Sequence, residues 1–218
     1  MSSEKRDPAF LARYVSRQVE HFFPDGFEIV PVIQAHLKPA LERTEQCISA
    51  VKAWSGKGFD YLVSGQNATF LYFLAHRIYR ETGDTEAATR IFLLNKALNG
   101  IDLFYEVEMP DYFLVGHTVG MVFAKATYAD YCIFHQGCTV GKSETGRPVL
   151  ERGVVLFPGS MVIGDCLVRE NTVLAPGVVL VNEETPGDCV CLPGPDRKPV
   201  FQRICKYYAE DYYSGIEY

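Results

Sequence analysis

A helical bundle, then a left-handed parallel β-helix, then a short C-terminal helix is the fold class this sequence predicts, on three observations. Apolar residues recur at helical spacing up to about residue 100 and lose that period afterwards. From position 149 every sixth residue (Val149, Val155, Met161, Leu167, Val173, Val179) is aliphatic or Met. Turn formers stand two positions before most of these, at Gly153, Gly159, Asp165, Asn171 and Gly177. A six-residue period of this composition marks hexapeptide repeats, three of which make one triangular coil. The six-step aliphatic set is expected to point inward, each residue stacked on its counterpart one coil away.

The elements follow in order. Phe10, Leu11, Tyr14, Val15, Val19, Phe22 and Phe23 share one face of a first helix. A second covers roughly 33–54, with Pro39 as a break or kink. A third runs over about 68–81 and stops at Thr82-Gly83, where glycine supplies the C′ position. Asp84 or Thr85 caps a fourth, which carries Ile91, Leu94 and Leu98 and ends at Gly100. Upstream of 149 the six-step is less regular, through Val115, Met121, Tyr128, Phe134 and Val140, with a one-residue slip near Ala126 and Thr127. Positions 142–148 break it and read as a loop thrown out of a coil. The expected division is 1–100 helical domain, 101–195 β-helix and 196–218 C-terminal helix or tail.

Composition bounds the function. A net charge of −6 over 218 residues offers no basic face for nucleic acid. The chain shows no apolar run of membrane-spanning length and no leader-like core at its start, so a cytoplasmic, non-membrane protein is expected. The seven cysteines are scattered and lack zinc-ligand spacing, which makes them small core residues; no metal is expected. Gly137 to Ser143 reads G-C-T-V-G-K-S, one residue short of a phosphate-binding loop and outside a strand-to-helix context, so ATP binding is not expected.

In chain order the motifs are LNKALNGID (94–102), GHTVGMVF (116–123) and FHQGCTVGK (134–142), followed by the hexapeptides. This order resembles the serine O-acetyltransferases of the hexapeptide-repeat acyltransferase family, over roughly residues 70–195. The resemblance implies an acetyl-CoA-dependent O-acetyltransferase that is a homotrimer or a dimer of trimers, with acetyl-CoA in the groove between neighbouring subunits. It implies His117 as general base and Asp102, fifteen residues earlier, as the group that orients the imidazole. The family usually has Asp immediately before the catalytic His and a His in the extended loop, both used for the amino acid substrate. Here those positions are Gly116 and Arg147. With Gln136 they are taken as the acceptor-binding positions. A family Asp from the helical domain has its nearest candidate in Asp60. The family's C-terminal isoleucine is replaced by the ending Gly215-Ile216-Glu217-Tyr218, so docking onto cysteine synthase is not expected.

The chemistry is consistent with those assignments. An alcohol becomes a competent nucleophile when a base takes its proton, and imidazole, with a pKa near 6.5, suits that task. The coenzyme would be held by Gly141 and Lys142 at the loop start and by the turns Pro158-Gly159 and Ala175 to Gly177. Lys198 and Arg203 are further candidates for its nucleotide end. The acceptor is a small hydroxylated molecule, with serine first and a sugar or nucleotide sugar as the alternative. A zinc hydratase on a β-helix is a third reading. His117 and His135 stand 18 residues apart, one nominal coil, but the third histidine it needs is missing from this half, as His21, His36 and His76 all lie in the helical half.

Overall fold

The computed structural model describes residues 7–144 and 146–216; the first six residues, position 145 and the last two, which bear on the leader and docking expectations, lie outside them. The helical part comprises α1 (Pro8–Phe22), α2 (Val30–Ser49), α3 (Ser64–Thr82) and α4 (Thr85–Asn99), with a 3-10 turn at Lys52–Trp54. Asp7 caps α1 by accepting from the N–H groups of Ala9 and Phe10, and Asp84 caps α4 by accepting from Ala87. Gly83 and Gly100 close α3 and α4 in the left-handed conformation, at φ 70° and 66°. Two expectations need correcting. The helix runs through Pro39 and ends at Ser49, its last part being the separate 3-10 turn. The third helix starts at Ser64, before its first aliphatic residues.

Strands begin one residue after α4. The first seven are β1 (Ile101–Leu103), β2 (Phe113–Gly116), β3 (Met121–Phe123), β4 (Thr127–Tyr128), β5 (Cys132–His135), β6 (Thr139–Gly141) and β7 (Val149–Leu150). The rest are β8 (Val155–Leu156), β9 (Met161–Ile163), β10 (Leu167–Val168), β11 (Thr172–Leu174), β12 (Val179–Val181), β13 (Cys189–Pro193) and β14 (Pro199–Arg203). They form three parallel faces. One runs β1-β3-β6-β9-β12, a second β4-β7-β10, and the third β2-β5-β8-β11-β13 with β14 added antiparallel. This is a triangular, left-handed β-helix. β2 pairs Phe113 with Cys132, a 19-residue step that absorbs the slip near Thr127, whereas β9 pairs Met161 with Val179 at the regular 18.

The phase of the repeat differs from expectation by one residue. The inward column is Leu150, Leu156, Val162, Val168, Leu174 and Leu180, all fully buried. Val154, Ser160, Cys166, Thr172 and Val178 fill the alternate inward positions. The six-step set from 149 faces outward, with Val149, Met161 and Val179 exposed. Side chains alternate across a strand, so two adjacent positions cannot both point in. Both columns are aliphatic here, and the period alone does not choose between them.

The C-terminal helix is also replaced. After the β13–β14 hairpin, residues 204–216 run back along the outside of the third face with a single 3-10 turn at Tyr208–Asp211. Tyr213 bridges Val51 antiparallel, Lys52 N–H donates to the Tyr212 carbonyl (2.8 Å) and Ser214 N–H to the Ala50 carbonyl (2.9 Å). The tail covers Leu114, Ile133, Val155 and Val173 and so joins the helical bundle to the β-helix. Six of the seven cysteines are buried, and Cys205 is exposed on the tail. Among the described residues no helix is long and apolar enough to cross a membrane.

Candidate functional site

His117 is set at the turn between β2 and β3 by a chain of buried amides. Asn95 in α4 donates to the Ala68 carbonyl of α3 (2.9 Å), and Asn99 donates to the Asn95 side chain (2.9 Å). The Asn99 carbonyl then accepts from the Thr118 hydroxyl (2.5 Å). Gly120 N–H donates to the Gly100 carbonyl and Gly137 N–H to the Val119 carbonyl. Held from both sides, His117 adopts φ 55°, a left-handed conformation that costs a non-glycine residue about 1–2 kcal/mol. Such strain persists only where the surroundings over-determine the backbone. The result is an exposed imidazole standing off the corner between the third and first faces.

Below it on the same corner lie Gln136, Pro158, Gly159, Ala175 and Gly177, one or two to a coil. Gly120, Gly137 and Gly159 stack at φ 78°, 72° and 70°; a Cβ on Gly120 would lie 3.6 Å from the Gly137 Cα, and one on Gly137 the same distance from the Gly159 Cα. Gly159 and Gly177 have nothing within 4 Å of a would-be Cβ. Gly120 and Gly137 thus serve the stacking of coils, while Gly159 and Gly177 leave the lower part of the corner open, below the exposed side chains of Val119 and Gln136.

The remaining expected residues sit elsewhere. Asp102 faces outward on β1, paired with Val122, and its carboxylate is held by Lys96 Nζ at 2.6 Å. Among the described residues no hydrogen bond joins it to His117. Gly141, Lys142 and Arg147 occupy the next corner, between the first and second faces. A Cβ at Gly141 would lie 2.8 Å from Ile163 Cδ1, so its bareness serves packing there. Lys142 is exposed, and Arg147 lines a small cleft with Glu106, Glu108 and Lys125. Within one protomer Arg147 and His117 thus stand on different corners. Asp60 bonds locally, its carboxylate accepting from Leu62 N–H. Lys198 and Arg203 are exposed near the end of the hairpin. His135 pairs beside Gly116 and not His117, because the coil between them is 19 residues long. Among the described residues no group of three His, Cys, Asp or Glu side chains is placed to hold a metal ion.

Several residues at the site had no sequence signal. A cavity of ≈ 410 Å³ opens beside His117, between β2, the 3-10 turn at Lys52–Trp54, the start of α3 and the tail residue Tyr212. A larger one (≈ 620 Å³) lies at the α1–α2 connection around Phe23, Gly26 and Pro31 and contains no His or Cys. Tyr212 Oη lies 3.3 Å from His135 Nε2, and the His135 ring stacks on Phe157 at 5.1 Å. Burial, and then the nearby charge of His117, hold the His135 imidazole below its ordinary pKa. Burial raises the Tyr212 phenol. Trp54 and Tyr212 reach this site only by long-range packing; the amphipathic run around Asn95 and Asn99, with two amides on its buried side, was the one available hint.

Two curated relatives are similar to this chain over about half its length. A serine acetyltransferase of Synechococcus elongatus is 28% identical over 109 residues, covering 48% of this chain and 44% of that protein. A putative serine acetyltransferase of Schizosaccharomyces pombe is 27% identical over 127 residues, covering 56% and 47%. Over that stretch the chain is similar to serine acetyltransferases. The match spans about half the length of each relative. The crystal structure of a Neisseria gonorrhoeae serine acetyltransferase shares the fold at a TM-score of 0.71 and 18% identity, covering 100% of this chain and 86% of that one. No family model matches the chain.

Proposed function

We propose that this protein transfers the acetyl group of acetyl-CoA to the hydroxyl of a small acceptor, with His117 as the general base. The observation that carries the reading is the exposed His117 at the head of the glycine corner. The open space at Gly159 and Gly177 would let a pantetheine arm approach the backbone there. Acetyl-CoA supplies the activated thioester. His117 takes the hydroxyl proton as the new C–O bond forms, and returns it to the departing sulfur as the C–S bond breaks. Backbone N–H groups of the corner are the donors available to the carbonyl oxygen as it gains charge.

The assembly we propose is a homotrimer, or a dimer of trimers. The first face is the reason: its outward row Val122, Met161 and Val179 is 37–43% exposed in the single chain. Packing that face on a neighbour would bring the corner bearing His117 of one copy towards the corner bearing Lys142 and Arg147 of the next. Those cations would then meet the coenzyme phosphates or the acceptor. Asp102 heads the same row, in register with Val122, and is the group we assign to steady the imidazole once Lys96 releases it.

Thiol release from acetyl-CoA, scanned over serine, homoserine and a panel of sugars, tests the activity. Turnover that falls about 10²–10⁴-fold in His117→Ala, with acetyl-CoA still bound, is the expected result. Failure to bind acetyl-CoA overturns it. A sugar acceptor is the second reading, favoured because the resemblance makes Gly116 and Arg147 the counterparts of the family's acidic and imidazole groups for the amino acid.

A further inference from the structure

The cavity beside His117 is lined mostly by apolar side chains. Its walls are Trp54, Val63, Leu114 and Val115, with Tyr212 closing the tail side. Its floor is backbone. At Gly65 the first turn of α3 passes so close that a Cβ would lie 2.5 Å from the Val115 carbonyl oxygen and 3.2 Å from Trp54 Cη2. Of the described lining residues only Asp211 carries a carboxylate, and Lys206 already pairs with it. Gly116 adds no side chain, and no Lys or Arg is among the described lining residues of the cavity. An amino acid's ammonium would find only the Asp211 carboxylate, already paired with Lys206, and so would gain little for the water it loses. An apolar body would gain from the same walls. The volume, ≈ 410 Å³, is within the range of small-molecule sites.

We propose that the acceptor is an alcohol with an aromatic or branched-alkyl body, which fills this cavity and presents its hydroxyl to His117. The proposal rests on the acetyltransferase reading and names its substrate class. Trp54 is the single tryptophan of the chain and lies in the wall, so its emission reports occupancy without any need for turnover.

The test is a fluorescence titration of the full-length protein with ethanol, 1-butanol, 2-phenylethanol and L-serine, beside calorimetry with acetyl-CoA and thiol release for each alcohol. Saturable change of Trp54 emission is expected with 2-phenylethanol, with affinity rising about fourfold per added methylene in the alkyl series. Serine should leave the emission unchanged over the same range. Thiol release should be fastest with 2-phenylethanol. Val63→Phe, which narrows the cavity from its wall, should weaken 2-phenylethanol at least tenfold with acetyl-CoA affinity within twofold of wild type. Tighter binding of serine than of 2-phenylethanol, no trend along the alkyl series, or binding of 2-phenylethanol without thiol release in a protein that binds acetyl-CoA would each overturn the proposal. Loss of acetyl-CoA binding alone would instead sink the acetyltransferase reading, and the titration would still judge the cavity.

Discussion

The first and third faces of the β-helix carry the same repeat and present the same kind of outward residue, yet they end differently. On the third face Leu114, Ile133, Val155 and Val173 stack in register and are at most 7% exposed, because residues 204–216 lie over them. On the first face Val122, Thr139, Met161 and Val179 stack in register with no such cover. The repeat therefore builds apolar surface on both faces, and this chain supplies a lid for one. The uncovered face adjoins both corners that carry the proposed chemistry, so a neighbouring copy seated there would complete the site as well as bury the row.

The comparison breaks most visibly under truncation in the covered row. Ile133→Ala or Tyr213→Ala should each cost about 2–5 kcal/mol in urea unfolding, whereas in the single-chain Met161→Asp background, where the first face is open to water, Val179→Ala should cost below about 1 kcal/mol. Equal losses on the two faces would remove the distinction. Next in size is Thr118→Val. It strands the buried Asn99 carbonyl at about 1–3 kcal/mol. Because Thr118 adjoins His117, it should lower kcat more than it raises the acetyl-CoA KM. A smaller effect is expected of Tyr213→Phe, which loses the hydrogen bond from its hydroxyl to the Cys132 carbonyl (3.1 Å), about 1 kcal/mol.

The smallest effect is set by pH. The fold keeps His135 neutral through burial and through the neighbouring His117, and His76 neutral mainly through burial. Their folded pKa values lie below the unfolded one, so protons bind the unfolded chain more readily. Stability is then full above about pH 6.5 and declines as the pH falls from there towards the folded values. Melting curves from pH 7.5 to 5 should show that decline, reduced but not abolished in His135→Gln because His76 remains. Removing the like charge in His117→Ala should raise the His135 pKa read by NMR, but only part of the way, since burial is the larger cause.

Much of the fold was legible because a six-step without exception leaves few other structures. The phase was not, since positions 149 and 150 begin two equally aliphatic columns and only packing separates inside from outside. Nor was the tail: Tyr212 and Tyr213 owe their place to contacts with His135 and Cys132 on the third face, 77 and 81 residues away in the chain. At the candidate site, His117 is singled out by the family's motif and Asp102 by its spacing to it, whereas the structure pairs the Asp102 carboxylate with Lys96. Trp54 and the cavity it lines are not singled out, because they arise where helix, strand and tail meet.

Sedimentation velocity on the wild type and on Met161→Asp tests most directly whether the open face is a subunit interface. The account predicts a wild-type particle of three, or twice three, 24.5 kDa chains. It also predicts a folded, single-chain variant that has lost thiol release. A wild type that sediments as one chain at micromolar concentration, or a Met161→Asp protein that keeps both its assembly and its activity, would contradict it.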